Sequence, residues 1–330
     1  MTRRSAPGGG IAIALLALSG CRGWQSATDP QGASASRLNA LFWLFVIVAA
    51  IIWALVMLVL AAALWRRRGV PDPRERRPVW IIGGAMAASV LVIFGLTLAS
   101  YVTTRRISPD PADPLVIRLK GYQWWWSANY VDAQPANSFT TANELHVPVG
   151  RPVRVELEAE DVIHSFWVPN LAGKQDLIPG RSNSIVVTAA RPGLYRGQCA
   201  EFCGLQHAHM ALLVIAEPVE DFQRWRAAQV ADAAAPSTPE QASGRDVFLK
   251  KACIACHTVR GTPAAGNLGP DLTHVGGRQY IGAGMLPSTR GSLAAWVTDP
   301  QTIKPGNNMP LVPLEAGELN ALSAWLVSLK

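Results

Sequence analysis

Two long apolar runs near the start constrain this 330-residue chain more than any other feature of its sequence. Residues 38–65 are apolar at almost every position, and a second run covers residues 79–101. About 20 apolar residues cross the hydrocarbon core of a bilayer, so each run predicts a membrane-spanning helix. Charged residues make up only 16% of the chain, against about 25% in soluble domains. We therefore predict an N-terminal segment with a two-helix transmembrane hairpin over residues 21–106.

The loop between the two runs sets the expected orientation of the hairpin. It contains the arginines 66, 67, 68, 74, 76 and 77 and only two acidic residues, Asp72 and Glu75. Short basic loops stay on the cytoplasmic side of a membrane. We therefore expect a multi-pass protein of the bacterial inner membrane whose later domains lie on the periplasmic side. Because more than half of the net charge of +7 lies in this loop, the charge does not indicate nucleic-acid binding.

The first 20 residues have the features of a secretory signal. Arg3 and Arg4 precede a short apolar core, and small residues follow it. The segment from Leu18 to Cys21 resembles the lipoprotein box of bacterial precursors, which implies cleavage after residue 20 and lipidation of Cys21. The alternative is an incidental cysteine after an ordinary signal.

Residues 107–220 follow a different pattern. Val153, Val155 and Leu157 alternate with charged residues, and glycine–proline turn signals separate several short apolar segments. A period of two indicates half-buried strands, and many short strands with such turns indicate a β-sandwich or barrel. We therefore predict an all-β domain here.

The remaining chain divides into a linker and a second domain. Residues 221–239 are predicted to be a linker, because most of this stretch is rich in alanine, serine, threonine and proline. Residues 240–330 are predicted to form an all-α domain that ends with a helix over Glu315–Leu329.

One stretch inside the predicted all-β domain concentrates soft metal ligands. Cys199 and Cys203 lie four residues apart, and His207 and Met210 follow within seven more residues. Thiolate, thioether and imidazole ligands together select copper or zinc. A structural zinc site more often uses a closer cysteine pair and no methionine. His164 can supply a second imidazole from the edge of a distant strand.

The order of a histidine followed by Cys-x-Glu-x-Cys-x3-His-x2-Met resembles the copper A domain of haem–copper oxidase subunit II. The resemblance implies a cupredoxin-like Greek-key fold and two copper ions bridged by two thiolates. The implied ligands are His164, Cys199, the main-chain carbonyl of Glu201, Cys203, His207 and Met210. It also implies that the Glu201 side chain reaches a magnesium ion shared with subunit I.

Two further histidines are expected to lie outside this ligand set. His209 follows His207 by two residues, so it would lie on the opposite side of an extended strand. His146 has no partner in the motif, and we expect it to be a surface or packing residue.

Three consecutive tryptophans follow the hairpin, at positions 124–126. Packing, or an aromatic belt at the membrane surface, accounts for such a segment. The resemblance to subunit II implies another role, in which Trp124 is the point where electrons enter the copper centre.

A second motif lies in the predicted all-α domain. Cys253 and Cys256 are three residues apart, and His257 follows directly. This pattern indicates covalent attachment of a c-type haem, with His257 as an axial iron ligand. A thioredoxin-like cysteine pair is disfavoured, because the sequence around Cys253 and Cys256 shows no βαβ pattern. That interpretation would also leave His257 unexplained.

The second axial ligand is expected downstream of this motif. Asn308-Met309-Pro310 resembles the methionine loop of class I cytochromes c, so we predict Met309 as this ligand. Met285 and His274 are the alternatives.

These resemblances imply an electron-entry subunit of a haem–copper terminal oxidase. Electrons would pass from a soluble or membrane cytochrome c, or a cytochrome bc complex, through haem c to copper A. Subunit I would then reduce oxygen and pump protons, with subunit III as a further partner. The alternatives are subunit II of a copper-A nitric oxide reductase and a stand-alone membrane-anchored electron carrier. Glu201 and the hairpin favour partnership with subunit I.

Overall fold

The computed structural model describes residues 22–66, 77–107 and 111–330. The predicted signal, the lipidation of Cys21 and most of the arginine-rich loop, including Glu75, lie outside these residues.

The two apolar runs form two long helices, as predicted. Helix α1 covers Ala33–Arg66 and helix α2 covers Arg77–Ile107. Both are long and apolar enough to cross a membrane by length and composition. Each extends beyond the predicted range, because an apolar run marks only the part matched to lipid, whereas main-chain hydrogen bonding continues through polar flanking residues.

The following domain consists of two five-stranded sheets. The strand order is β3-β2-β1-β5-β8 in one sheet and β4-β10-β9-β6-β7 in the other. The strands are β1 Leu115–Tyr122, β2 Trp125–Tyr130, β3 Phe139–Ala142, β4 Glu144–Pro148, β5 Val153–Ala159, β6 His164–Trp167, β7 Gln175–Leu177, β8 Asn183–Val187, β9 Gly193–Cys199 and β10 Ala211–Glu217.

The predicted alternation determines which side chains fill the space between these sheets. Strands β1 and β5 run parallel, with Ile117 opposite Val155 and Leu119 opposite Leu157. All four side chains are fully buried or nearly so, while the charged residues between them point away from the core. The all-β sandwich prediction is confirmed.

The predicted linker needs a correction. Residues Val219–Val230 form helix α3, and its Trp225 ring stacks on His146 with 3.9 Å between the ring centroids. Only the residues between this helix and Pro239 are extended. Alanine-rich sequence is compatible with both helix and coil, and here the burial of Phe222 and the packing of Trp225 favour the helix.

The C-terminal domain is largely helical, as predicted, with one short two-stranded ribbon. Its elements are α4 Pro239–Lys250, α5 Cys253–Cys256, β11 Tyr280–Ile281, β12 Leu286–Pro287, α6 Arg290–Thr298, α7 Pro300–Ile303 and α8 Ala316–Ser328. Phe248 and Trp325 form the centre of its core, with ring centroids 5.2 Å apart. Helices α4 and α8 approach closely at Gly244, where a Cβ atom would lie 2.0 Å from the Ala321 carbonyl oxygen.

The β-sandwich and the helical domain belong to one compact unit, which also includes the segment before α1. That segment is attached to the sandwich by main-chain hydrogen bonds. The Gln31 amide donates to Asn170, and the Gln31 carbonyl accepts from Ala190, both at 2.7 Å.

Candidate metal centre

The loop between β9 and β10 carries most of the predicted copper ligands. Cys199 is the last residue of β9, and Met210 directly precedes β10. His164 begins β6, which pairs with β9 so that Phe166 lies opposite Cys199. Strand pairing therefore brings the distant histidine to the cysteine loop.

The sulfur and nitrogen atoms lie close enough to one another to share bound metal ions. The two cysteine Sγ atoms are 3.7 Å apart, and His164 Nδ1 lies 3.9 Å from the Cys199 Sγ. The Cys203 Sγ lies 3.6 Å from His207 Nδ1 and 3.8 Å from Met210 Sδ. Metal bonds of about 2.3 Å to sulfur and about 2.0 Å to nitrogen allow such separations. The structure brings together His164 and both cysteines as one buried cluster, with all ligand atoms within 4.8 Å of one another.

The electrostatics of the cluster favour bound positive charge. Hydrogen bonding with the Cys203 sulfur lowers the pKa of Cys199 well below its usual range, and the same interaction raises the pKa of Cys203. Burial lowers the pKa of His164, but hydrogen bonds with Cys199 and Asp161 outweigh this effect and raise it. The raised pKa shows that the surroundings of His164 stabilise positive charge, so a metal cation that replaces the proton on Nδ1 would be stabilised in the same way.

Asp161 was missed from the sequence, and it orients His164. Its Oδ1 lies 2.8 Å from His164 Nε2, and its Oδ2 accepts a 2.6 Å hydrogen bond from the Gln123 amide. Because the carboxylate holds Nε2–H, Nδ1 is free to bind a metal. A carboxylate behind a ligating histidine is a common feature of metal sites, and its position three residues before His164 was a usable signal.

The other two histidines make their contacts outside the cluster, but His209 lies in a short 3-10 helix, His207–His209, instead of the extended strand that was expected. His209 Nδ1 pairs with the Gln206 side-chain oxygen at 2.7 Å, whereas His207 is the histidine that lies beside Cys203. His146 is nearly buried, stacks on Trp225 and contacts Glu217 at 3.1 Å.

Glu201 presents its main chain and its side chain to different surroundings. Its carbonyl oxygen lies 3.3 Å from the Cys199 Sγ, which fits a main-chain metal ligand. Its carboxylate is 44% exposed and pairs with Lys174 at 3.2 Å. The side chain is therefore accessible from outside the chain.

Trp124 lies between the cysteine loop and the helical domain. Its ring is only 7% exposed. Gly306 of the helical domain packs against the ring, since a Cβ atom there would lie 3.6 Å from it. Trp126 points the other way, into the sandwich core, beside the His164 ring.

In the helical domain, a hydrogen bond at Nδ1 of His257 leaves its Nε2 available to bind a metal. Its Nδ1 lies 2.7 Å from the Pro270 carbonyl oxygen, and because a carbonyl only accepts, Nδ1 carries the hydrogen and Nε2 the free lone pair. Burial lowers the pKa of His257, which keeps the ring neutral, the form that binds metals. Gly269 allows the close approach, since a Cβ atom there would lie 2.6 Å from the His257 ring.

The three candidates for the second axial ligand have different surroundings in the structure. Met309 packs against the core of the helical domain, and its Sδ lies 3.1 Å from the Trp296 indole nitrogen. Both ring nitrogens of His274 lie 3.1 Å from carbonyl oxygens, those of Lys330 and Ala231, so this histidine serves to join chain segments. Met285 is half-buried and is not among the residues packed on that core.

Two parts of the chain match known protein families. Residues 134–217 match the family described as cytochrome c oxidase subunit II, periplasmic domain, and residues 241–330 match the cytochrome c family. The periplasmic domain of subunit II of cytochrome oxidase (CoxB) of Bradyrhizobium japonicum is similar at 34% identity, with a TM-score of 0.34, over 36% of this chain and 95% of that chain.

Full-length relatives extend the match to nearly the whole sequence. The chain is 34% identical over 336 residues to cytochrome c oxidase subunit 2 of Alkalihalophilus pseudofirmus, covering 97% of this chain and 96% of the relative. It is 28% identical over 347 residues to cytochrome c oxidase subunit 2 of Bacillus subtilis, with the same coverage. The two-helix hairpin, the sandwich with its cysteine loop and the fused helical domain thus form a single chain that belongs to the cytochrome c oxidase subunit 2 family.

Proposed function

We propose that this chain is the electron-entry subunit of a haem–copper terminal oxidase, passing electrons from its own haem c to a copper A centre and on to subunit I. One observation carries the proposal: contacts lead from the loop that carries Met309, through the Trp124 ring, to the cysteine loop. Gly306, three residues before Met309, packs on the Trp124 ring. The indole nitrogen of Trp124 in turn donates to the Cys203 carbonyl oxygen.

The cysteine loop fits a pair of copper ions. Soft sulfur and imidazole ligands favour copper, and the measured separations between sulfurs and nitrogens suit ions shared by two thiolates. The residues that would hold the pair are His164, Cys199, the Glu201 carbonyl, Cys203, His207 and Met210.

The helical domain fits a covalently bound haem. Cys253 and Cys256 form the short helix α5, so that both thiols are available for thioether bonds while His257 keeps Nε2 free for the iron. Met309 would be the second axial ligand, a combination that raises the reduction potential. When bound, the haem held by Cys253, Cys256 and His257 and the copper pair held by the cysteine loop would supply one-electron transfer without bond making or breaking.

The surrounding residues hold these groups rather than react. Asp161 fixes the orientation of His164, the Pro270 carbonyl fixes that of His257, and the Trp124 side chain connects the two domains. On the copper side, His164, Cys199, Cys203 and Met210 are buried, so little water reaches these ligands and rearrangement is limited when the charge changes.

The Glu201 carboxylate is proposed to bind magnesium together with subunit I. It is partly exposed, and Lys174 is its partner in this structure. A single carboxylate supplies one or two of the oxygen ligands that Mg²⁺ requires, so subunit I and water would complete the site.

The remaining assignments concern partners and location. The hairpin would lie in the bacterial inner membrane, with the sandwich and the helical domain on the periplasmic side. Subunits I and III would be the membrane partners. A soluble or membrane cytochrome c, or a cytochrome bc complex, would donate electrons, and subunit I would reduce oxygen to water and pump protons.

Gas consumption by the purified complex tests this function. With a reduced donor present, we expect the complex to consume oxygen and not nitric oxide, and to transfer electrons from haem to copper before oxygen is consumed. Consumption of nitric oxide in place of oxygen would reject the oxidase assignment. A chain that purifies with both centres but without any subunit I would identify a stand-alone carrier instead.

A further inference from the structure

A lysine of the helical domain (residues 239–330, called the haem domain below) is buried against the β-sandwich (residues 115–217, called the copper domain below). Lys304 follows helix α7 and is only 2% exposed. Its ammonium group donates to the carbonyl oxygens of Trp124 at 2.7 Å, His209 at 2.7 Å and Gly282 at 2.9 Å. Two of these acceptors belong to the copper domain, and the third belongs to the haem domain.

A carboxylate of the copper domain makes the reciprocal contact. Glu144, at the start of β4, is 3% exposed and accepts hydrogen bonds from the main-chain amides of Gln279 and Tyr280 in the haem domain. Among the described residues, neither Glu144 nor Lys304 forms an ion pair. Main-chain atoms satisfy both groups instead: those of the opposite domain for Glu144, and those of both domains for Lys304.

Such contacts fix geometry more than they add affinity. Burying a charge costs free energy that hydrogen bonds must offset. The offset is complete only where all acceptors or donors are in place, so a rotated or shifted arrangement would leave a buried charge unpaired. Two further hydrogen bonds connect the same two domains. The Ala211 amide donates to the Ala283 carbonyl at 3.1 Å, and the Gln206 side chain donates to the Pro305 carbonyl at 2.8 Å.

The segment between the domains is fixed as well. The Arg260 guanidinium donates to the carbonyls of Gln229 and Val230 at the end of α3. The Ala233 amide donates to the Arg260 carbonyl at 3.1 Å. The connection is therefore attached to the haem domain along part of its length and does not behave as a free tether.

We propose that Lys304 and Glu144 are positioning residues that hold the haem domain in one docked geometry on the copper domain. The loop from Lys304 to Met309 then stays on Trp124 throughout turnover. Electrons pass across a standing contact instead of by repeated collision of tethered domains. The docked domain also covers the Trp124 face, so that external donors deliver electrons to the haem. The kinetic part of this inference rests on the proposed function, whereas the docking part does not.

A cleavage experiment tests the docking. A protease site is inserted within residues 234–238 of the full chain, and the complex is reconstituted in liposomes, cleaved and sedimented. Haem absorbance in the pellet measures the haem domain that stays docked. We expect wild type to retain it, and Lys304→Met and Glu144→Ala to release it about tenfold or more faster, because each leaves buried groups unpaired.

Matched variants distinguish the loss of a docking contact from the loss of a charge alone. Lys250→Gln removes the same charge from an exposed position of the haem domain and is expected to retain the domain as wild type does. Glu144→Gln keeps an oxygen acceptor and is expected to restore retention relative to Glu144→Ala. Release of the wild-type domain upon cleavage, or equal retention by Lys304→Met and wild type, overturns the docking proposal.

Flash photolysis of the uncleaved complex tests the standing contact. In wild type we expect the rate of haem-to-copper transfer to be independent of solvent viscosity. In Lys304→Met we expect it to fall about tenfold or more and to become viscosity-dependent, with the absorption spectra of both centres unchanged. A viscosity-dependent wild-type rate overturns the inference. Absence of any haem-to-copper transfer in wild type would instead reject the proposed function and leave the cleavage result to decide the docking.

Discussion

The indole nitrogen of Trp124 donates a 2.8 Å hydrogen bond to the carbonyl oxygen of Cys203. The Gln123 side chain donates to the same oxygen, also at 2.8 Å. The tryptophan ring is therefore bound to the peptide group of a candidate copper ligand, while its other edge contacts the haem domain at Gly306.

This contact predicts that Trp124→Gln slows the reduction of copper by haem c without changing the spectrum of either centre. Flash photolysis that follows haem oxidation measures the rate. Trp125→Gln is the matched control, because the Trp125 ring stacks on Tyr122 at 4.6 Å. Trp126 is unsuitable as a control, since it is fully buried and its loss would cost about 3–5 kcal/mol of stability. Equal rates for Trp124→Gln and wild type would exclude this route.

The two cysteine pairs are expected to serve separate centres. Cys199→Ser or Cys203→Ser should abolish the two-copper centre and leave the haem attached, because these proposed copper ligands are distinct from Cys253 and Cys256, which would hold the haem. Electron paramagnetic resonance measures the copper signal, and the haem spectrum is the internal control. A complete mixed-valence two-copper signal in either variant would contradict the assignment.

Asp161→Asn is expected to weaken copper binding about 10- to 100-fold, the usual effect of losing the carboxylate behind a ligating histidine. The variant keeps the size of the side chain and one acceptor oxygen. Copper titration with a competing chelator measures the affinity. Asp176→Asn is the matched control, since Asp176 bonds to Ser165 and Lys174 and not to His164. Equal affinities in the two variants would show that Asp161 does not orient the ligand.

Gly269→Ala is expected to displace His257, because the added Cβ atom would lie 2.6 Å from its ring. The thioether bonds should still form, so the haem stays attached while its absorption spectrum reports altered axial ligation. Gly317→Ala is the control, since nothing lies within 4 Å of its Cβ position. An unchanged spectrum in Gly269→Ala would place the iron ligand elsewhere.

Glu144 is expected to make stability depend on pH. Burial raises the pKa of its carboxyl group above the ordinary value of 4.5, although the Tyr280 and Gln279 amides and the nearby charges of His146 and Arg278 lower it in part. A raised folded pKa means that the stabilising contribution is complete below the unfolded value and is lost as the pH rises through the folded value.

The unfolding free energy of wild type relative to Glu144→Gln should therefore decrease as the pH rises above about 4.5. Denaturant titrations of both chains at several pH values measure this difference. A difference that stays constant across the range would show that the carboxyl group titrates as it does in the unfolded chain.

Local patterns in the sequence predicted much of this protein. The apolar runs predicted both long helices, and the alternation around Val155 predicted the sandwich, because each pattern reflects the environment of consecutive residues. The cluster of Cys199, Cys203, His207 and Met210 was predictable for the same reason, since one stretch of 12 residues carries all four candidate ligands.

Tertiary structure decided the relations between distant segments. The approach of His164 to Cys199 depends on the pairing of β6 with β9, and helix α3 replaced a predicted linker because Phe222 and Trp225 found an apolar surface to cover. Lys304 reaches Trp124 across 180 positions of sequence. No local signal marks such a lysine, because its burial depends on carbonyl groups that come together only when both domains have folded and packed.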